Sequence, residues 1–167
     1  MIRQGACWDE ERAQALINFA HTFFQPQFVR GTFRLLPWQT DYLRTLYGWR
    51  WMDGSRVKRF SNLHIAKKAG KTLIVSLIAF FEIYNSEEPS PYVAAAAASK
   101  ENASQVFKEL RYSIERSPFW DKDPSKSYTK ITDHTKHIRV PSLNAEFRSL
   151  ASQGSRVHGE PCSCVVI

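Results

Sequence analysis

Apolar residues recur every three or four positions in several stretches of the chain. Residues 9–24 show this spacing, with acidic residues at their start and Pro26 after their end. It predicts an amphipathic helix that ends before the proline. A second helix is predicted over residues 37–48, because Pro37 suits a first helical turn. A third is predicted over residues 99–117, with Ser99 as its N-cap and Pro118 ending it. The continuous apolar run that follows residue 71 predicts a further, buried helix, which ends before a proline-bearing loop at residues 86–91.

Other apolar stretches are shorter, and their apolar residues either run together or alternate with polar ones. Residues 92–98 read Tyr-Val followed by five alanines, which favour a helix by propensity alone. Because this run follows a proline-bearing loop, we expect it to be a buried parallel strand instead. Short strands are also predicted at residues 60–65, 128–132, 137–140, 146–150 and 162–167. Strands that alternate with helices predict an α/β fold with a mainly parallel sheet flanked by helices.

A compact basic loop connects the strand predicted at residues 60–65 to the buried helix. It reads Ala66-Lys67-Lys68-Ala69-Gly70-Lys71-Thr72, and the order strand, loop, helix is typical of a phosphate-binding loop. In such a loop Lys71 reaches the β- and γ-phosphates, and Thr72 offers its hydroxyl to Mg2+. The general pattern places its first glycine where this chain has Ile65, so only Gly70, Lys71 and Thr72 match. A helix start that carries a lysine by chance is the alternative.

Composition and charge narrow the class of protein further. The chain has 167 residues, 43% of them hydrophobic and 23% charged, which is ordinary for one globular domain. The net charge of +7 favours a polyanionic partner, with a merely soluble basic surface as the alternative. Cys7, Cys162 and Cys164 form neither a disulfide framework nor a zinc site by spacing. With no secretory signal and no apolar run long enough to span a bilayer, we expect a cytoplasmic protein without a membrane partner.

Four short motifs occur in a characteristic order along the chain. They are Pro37-Trp38-Gln39, the loop at residues 66–72, Ser155-Arg156-Val157-His158-Gly159 and the final Val165-Val166-Ile167. In this order the chain resembles the large terminase subunits of tailed phages, and more narrowly their N-terminal ATPase domain, over roughly residues 30–167. The resemblance implies a P-loop NTPase fold of the RecA-like type, incomplete at its C-terminus. Residues 1–30 would be an N-terminal helical segment and 31–167 a partial ATPase domain, with the family's nuclease domain absent.

The resemblance also implies a function and the residues that carry it. Members of the family package double-stranded DNA into a procapsid at the expense of ATP, with Mg2+ as cofactor. Gln39 would read the adenine edge, although a glutamine at a helix start is also a common capping residue. Arg156 would complete a neighbouring subunit's catalytic site, although an arginine in such a loop is usually just exposed. The nucleotide phosphates would be bound by Lys67, Lys68, Ala69, Gly70, Lys71 and Thr72, with Lys71 also catalytic and Thr72 holding the metal.

In this family a strand such as residues 165–167 delivers an Asp-Glu pair, and this sequence stops at Ile167. We therefore expect this chain to bind nucleotide weakly and to hydrolyse it poorly or not at all. A portal protein, a small terminase subunit and a homo-oligomeric ring are the other partners that the resemblance implies, in a phage-infected or prophage-bearing host. Two alternatives stay open. One is a basic module that holds nucleotide or DNA without catalysis, and the other is a helicase-type P-loop ATPase fragment.

Overall fold

A computed structural model describes residues 5–97, 99–151 and 162–167. In these ranges a five-stranded sheet and a separate two-stranded sheet are packed with four α-helices. In chain order the elements are β1 (Ala6–Trp8), α1 (Glu10–Phe23), α2 (Pro37–Gly48), β2 (Trp49–Trp51), α3 (Lys71–Asn85), β3 (Tyr92–Ala97), α4 (Lys100–Ile114), β4 (Lys130–Thr132), β5 (His137–Val140), β6 (Ala145–Ala151) and β7 (Cys164–Val166).

The four helices begin where the sequence predicts them, for identifiable reasons. The carboxylate of Asp9 accepts from the Arg12 N–H at the start of α1. The hydroxyl of Ser99 accepts from the Asn102 N–H at the start of α4. Pro37 opens α2, where its missing N–H costs no helical hydrogen bond. The cap at Ser99 and the start at Pro37 were predicted from the sequence, and the cap at Asp9 was not named there although the helix start was.

The main sheet has the strand order β4-β5-β6-β3-β7 and is mixed. β3 is parallel to both β6 and β7, and its Val93, Ala94 and Ala95 are buried, which confirms a buried parallel strand in the alanine run. β5 is antiparallel to both β4 and β6, so the prediction of a mainly parallel sheet is wrong for this half. The physical reason is the connections, because β4, β5 and β6 are joined by short turns, whereas a parallel pair needs a long crossover.

The segment that enters the basic loop is not a strand, so the strand predicted at residues 60–65 is wrong. No ladder joins residues 58–66 to any described strand, and the side chain of Phe60 is 94% exposed. A strand needs a hydrogen-bonded neighbour, and the described residues supply none there. The segment is held instead by contacts at separate points, such as the 2.9 Å hydrogen bond between the Tyr42 hydroxyl and the Ser61 hydroxyl. The pairing of β1 with β2 was not predicted.

One hydrophobic core joins the helices to the sheet and fixes α3 in its centre. Most of α3 is buried, from Ile74 to Ile83, including the fully buried Phe80. It is packed with Phe19 of α1, whose ring lies 4.9 Å from that of Phe80 in an edge-on arrangement. Fully buried side chains from the neighbouring elements are Leu16, Phe24, Leu43, Phe107, Leu110, Ile114, Ile138 and Phe147. A helix buried this deeply has little freedom to shift, so its exposed N-terminus is rigidly placed.

None of the helices in the described part of the chain is both long and apolar enough to cross a membrane.

Candidate nucleotide-binding site

The basic loop turns sharply into α3 at Gly70. Gly70 has φ +89°, a left-handed conformation that strains any residue with a Cβ, so glycine is required there. One turn earlier the Ala69 N–H donates to the Ala66 carbonyl at 3.3 Å, and Lys68 also has a positive φ of 67°. Successive reversals of this kind turn backbone N–H groups towards one side of a loop, which is the geometry of an anion-binding nest.

The N-terminus of α3 carries N–H groups with no acceptor among the described residues. The first bond to a loop carbonyl runs from the Ile74 N–H to the Gly70 carbonyl at 3.1 Å, and no side chain caps the helix. The N–H groups of residues 71–73 therefore point away from the helix body. Because the helix dipole adds partial positive charge at this end, these groups together suit an anion such as a phosphate.

Lys71 places its ammonium group across the loop. Its Nζ donates to the carbonyls of Ile65 at 2.9 Å and Ala66 at 3.1 Å, while the residue itself is exposed. Thr72 is also exposed in the first helical turn. Lys67 and Lys68 are exposed and have no ion-pair partner among the described residues. The loop thus concentrates three lysines around a helix N-terminus.

Gln39 lies against this loop from the start of α2. Its side chain is buried, and its Oε1 accepts from the Leu36 N–H at 2.9 Å. On the other side, a Cβ placed on Gly70 would lie 3.4 Å from the Gln39 Nε2. The capping contact weighed from the sequence is therefore present, and the remaining amide nitrogen faces the loop. Its reading of adenine stays a prediction.

Arg156 and its motif at residues 155–159 lie outside the described residues, so the predicted catalytic role of this arginine stays a prediction. The strand predicted at residues 162–167 is present as β7, parallel to β3. Within the described ranges, no three His, Cys, Asp or Glu side chains come together as a metal-binding group. The contact of Thr72 with Mg2+, which the loop motif implies, stays a prediction.

A buried polar cluster in the C-terminal half of α3, away from the loop, was missed from the sequence. Glu82 of α3 is 1% exposed and accepts from the Tyr47 hydroxyl at 2.6 Å and from the Arg56 Nη1 at 2.7 Å. Burial, followed by the charge of Glu82, raises the pKa of Tyr47 well above its usual value. Burial opposes the charged form of Arg56, but the Glu82 carboxylate raises the pKa of that guanidinium overall. A lone acid within an apolar helix was the available signal for this cluster.

This cluster joins three parts of the fold. Arg56 belongs to the irregular segment that leads into the loop, whereas Glu82 belongs to the helix that follows the loop. The ion pair therefore connects the start of the segment after β2 to the C-terminal half of α3, and Tyr47 adds the end of α2.

Comparison with known proteins relates the chain to terminase large subunits. A family model described as "Terminase large subunit, ATPase domain" matches residues 37–167. The solved crystal structure of the HK97 bacteriophage large terminase matches with a TM-score of 0.73 at 23% sequence identity. That match covers 92% of this chain and 30% of the HK97 protein, and at this identity it shows a shared fold. No curated protein sequence matches the chain.

Proposed function

Because the chain belongs to the family of terminase large subunit ATPase domains, we propose that it binds ATP as part of a motor that packages double-stranded DNA. The observation that carries the proposal is the Gly70-Lys71-Thr72 turn at the uncapped start of α3. The chain spans 30% of the HK97 large terminase, so DNA translocation is proposed for the whole protein rather than for this chain by itself.

The loop geometry suits the phosphates of the nucleotide. Lys71 would exchange its carbonyl acceptors, Ile65 and Ala66, for phosphate oxygens, which are stronger acceptors because they are charged. The free N–H groups of residues 71–73 would donate to the same phosphates. At Gly70 the backbone can approach the anion without a side chain in the way. Lys67 and Lys68 add positive charge along the loop's exposed side. Ala69 would contact the phosphates through its backbone and not through its side chain.

The exposed hydroxyl of Thr72 fits the metal that accompanies ATP in this class of site. A Mg2+ ion bound there would supply positive charge that stabilises the transferring phosphoryl group. Thr72 would contribute one oxygen ligand, and Lys71 would hold the phosphates in place beside it. Both side chains lie in the first turn of α3, whose position is fixed by the core.

The remaining site residues have proposed roles at the two ends of the nucleotide. With its Oε1 bonded to the Leu36 N–H, Gln39 keeps its Nε2 to donate to a ring nitrogen of adenine. Arg156 would act on the nucleotide of a neighbouring subunit in a homo-oligomeric ring, stabilising charge on the transferring phosphoryl group. A portal protein and a small terminase subunit are the further partners that family membership suggests.

ATP turnover tests the proposed function. We would measure phosphate release with Mg2+, with and without duplex DNA, for this chain and for a longer product of the same reading frame. We expect hydrolysis by the longer protein and its loss in the Lys71→Ala variant of that protein. Nucleotide binding without turnover in both proteins would favour the non-catalytic binding module. Neither binding nor turnover in either protein would refute the nucleotide site.

A further inference from the structure

The two faces of the antiparallel half of the main sheet differ sharply in chemistry. On one face Ile138, Val140, Ala145 and Phe147 are almost fully buried in the core. On the other face the strand register places cations side by side. Lys130 of β4 lies directly opposite Arg139 of β5, and His137 of β5 lies directly opposite Arg148 of β6. We call the set Lys130, His137, Arg139 and Arg148 the basic face.

The pairing of Lys130 with Arg139 is unfavourable for the sheet by itself. Like charges directly opposite each other destabilise an antiparallel pair of strands, whereas opposite charges at such positions stabilise it. Lys130 is exposed and has no ion-pair partner among the described residues, and the side chain of Arg139 is 55% exposed. Because the pair lies on an open face of the sheet, its positive charge is available to a ligand.

A single described carboxylate on this face is shared by the surrounding basic groups. Glu146 forms an ion pair with Arg139 at 3.0 Å, accepts from Arg148 at 3.1 Å, and lies 3.3 Å from the His137 Nε2. The Asp133 carboxylate, in the turn after β4, is paired with Arg111 of α4 instead. Of the cations Lys130, Arg139 and Arg148, Lys130 is the one without an ion-pair partner among the described residues.

We infer that the basic face binds the sugar–phosphate backbone of duplex DNA, an inference that rests on the proposed function for the choice of polyanion. Adjacent strands lie about 4.8 Å apart, so the face measures roughly 10 Å from β4 to β6. One DNA strand presents a phosphate about every 3.4 Å of helix axis, so two or three phosphates match this width. The rigid sheet holds the cations in place, which reduces the ordering cost of binding.

Salt-dependent DNA binding tests the inference. We would titrate a fluorescently labelled duplex of mixed sequence with the protein at several KCl concentrations. In the Lys130→Ala/Arg139→Ala variant we expect weaker binding and a salt slope smaller by about 1.8, since each lost phosphate contact removes about 0.9. The matched control is Lys108→Ala/Lys122→Ala, which removes the same charge from exposed positions outside the basic face. We expect the control to keep the slope of the unaltered protein.

A second pair of changes separates charge from folding. Lys130→Arg/Arg139→Lys keeps both positive charges and is expected to keep the original salt slope. Equal slopes for the alanine pair and its control, or no duplex binding by the unaltered protein, would overturn the inference.

The results of this DNA-binding test can be distinguished from the results of the nucleotide-binding test. If Lys71→Ala leaves ATP binding unchanged while the alanine pair lowers DNA affinity, the nucleotide site fails and the basic face stands. The reverse combination refutes only the basic face.

Discussion

Replacing Lys71 with alanine is expected to lower the affinity for Mg-ATP by roughly 10- to 150-fold. A hydrogen bond to a charged group contributes about 1.5–3 kcal/mol, and each 1.4 kcal/mol is a factor of about ten in affinity. In the folded chain the Lys71 Nζ donates to the Ile65 and Ala66 carbonyls, and we expect phosphate oxygens to replace them as acceptors. Calorimetric titration of the unaltered and Lys71→Ala proteins measures the difference.

The control for this change is Lys108→Ala, which removes an exposed lysine of α4. It lowers the net charge by the same amount and is expected to leave nucleotide affinity unchanged. Because Lys71 is exposed, its loss is not expected to unfold the protein, and the thermal midpoint of both variants checks this. Equal nucleotide affinity in the two variants would show that Lys71 makes no specific phosphate contact.

Replacing Arg56 with methionine is expected to destabilise the folded protein by about 3 kcal/mol. The change leaves the Glu82 carboxylate buried with the Tyr47 hydroxyl as its described partner, and an unpaired buried charge costs about 3–5 kcal/mol. We expect a loss at the lower end of this energy range, because the Arg56 side chain is 23% exposed and solvent screens part of its interaction with Glu82. For a domain of this size the thermal midpoint should fall by roughly 6–12 °C.

The double variant Arg56→Met/Glu82→Leu distinguishes a lost ion pair from lost packing. With both charges removed no buried carboxylate is stranded, so most of the stability should return. Lys126→Met is the matched surface control, because the Lys126 and Asp123 side chains are largely exposed, and it should leave the midpoint unchanged. A double variant as unstable as Arg56→Met alone would mean that the ion pair is not the source of the effect.

Features encoded by neighbouring residues were predictable from the sequence. The starts of α1 and α4 depend on Asp9 and Ser99, whose side chains bond to N–H groups three residues later. The turn at Gly70 depends on one residue's conformational freedom, and it is present where the motif places it. Each of these is a local effect, so a short window of sequence contains the necessary information.

Features that depend on distant partners were not predictable in the same way. Residues 60–65 have the composition of a strand, but no described strand lies beside them to complete a ladder. The antiparallel half of the sheet depends on which strands β4, β5 and β6 pair with. The closeness of Gln39 to Gly70 depends on how α2 packs beside the loop. The Arg56–Glu82 pair joins residues far apart in the chain. Tertiary packing decides all of these.

Amide hydrogen exchange with and without Mg-ATP tests the central claim most directly. The N–H groups of residues 71–73 have no acceptor among the described residues, so bonding to phosphate should slow their exchange. We expect slowing in peptides that cover residues 66–74 and 36–40, no change across β4 and β5, and, in the Lys71→Ala variant, a higher Mg-ATP concentration needed for the same slowing. Exchange at residues 66–74 that is unchanged by saturating Mg-ATP would contradict a nucleotide site at the start of α3.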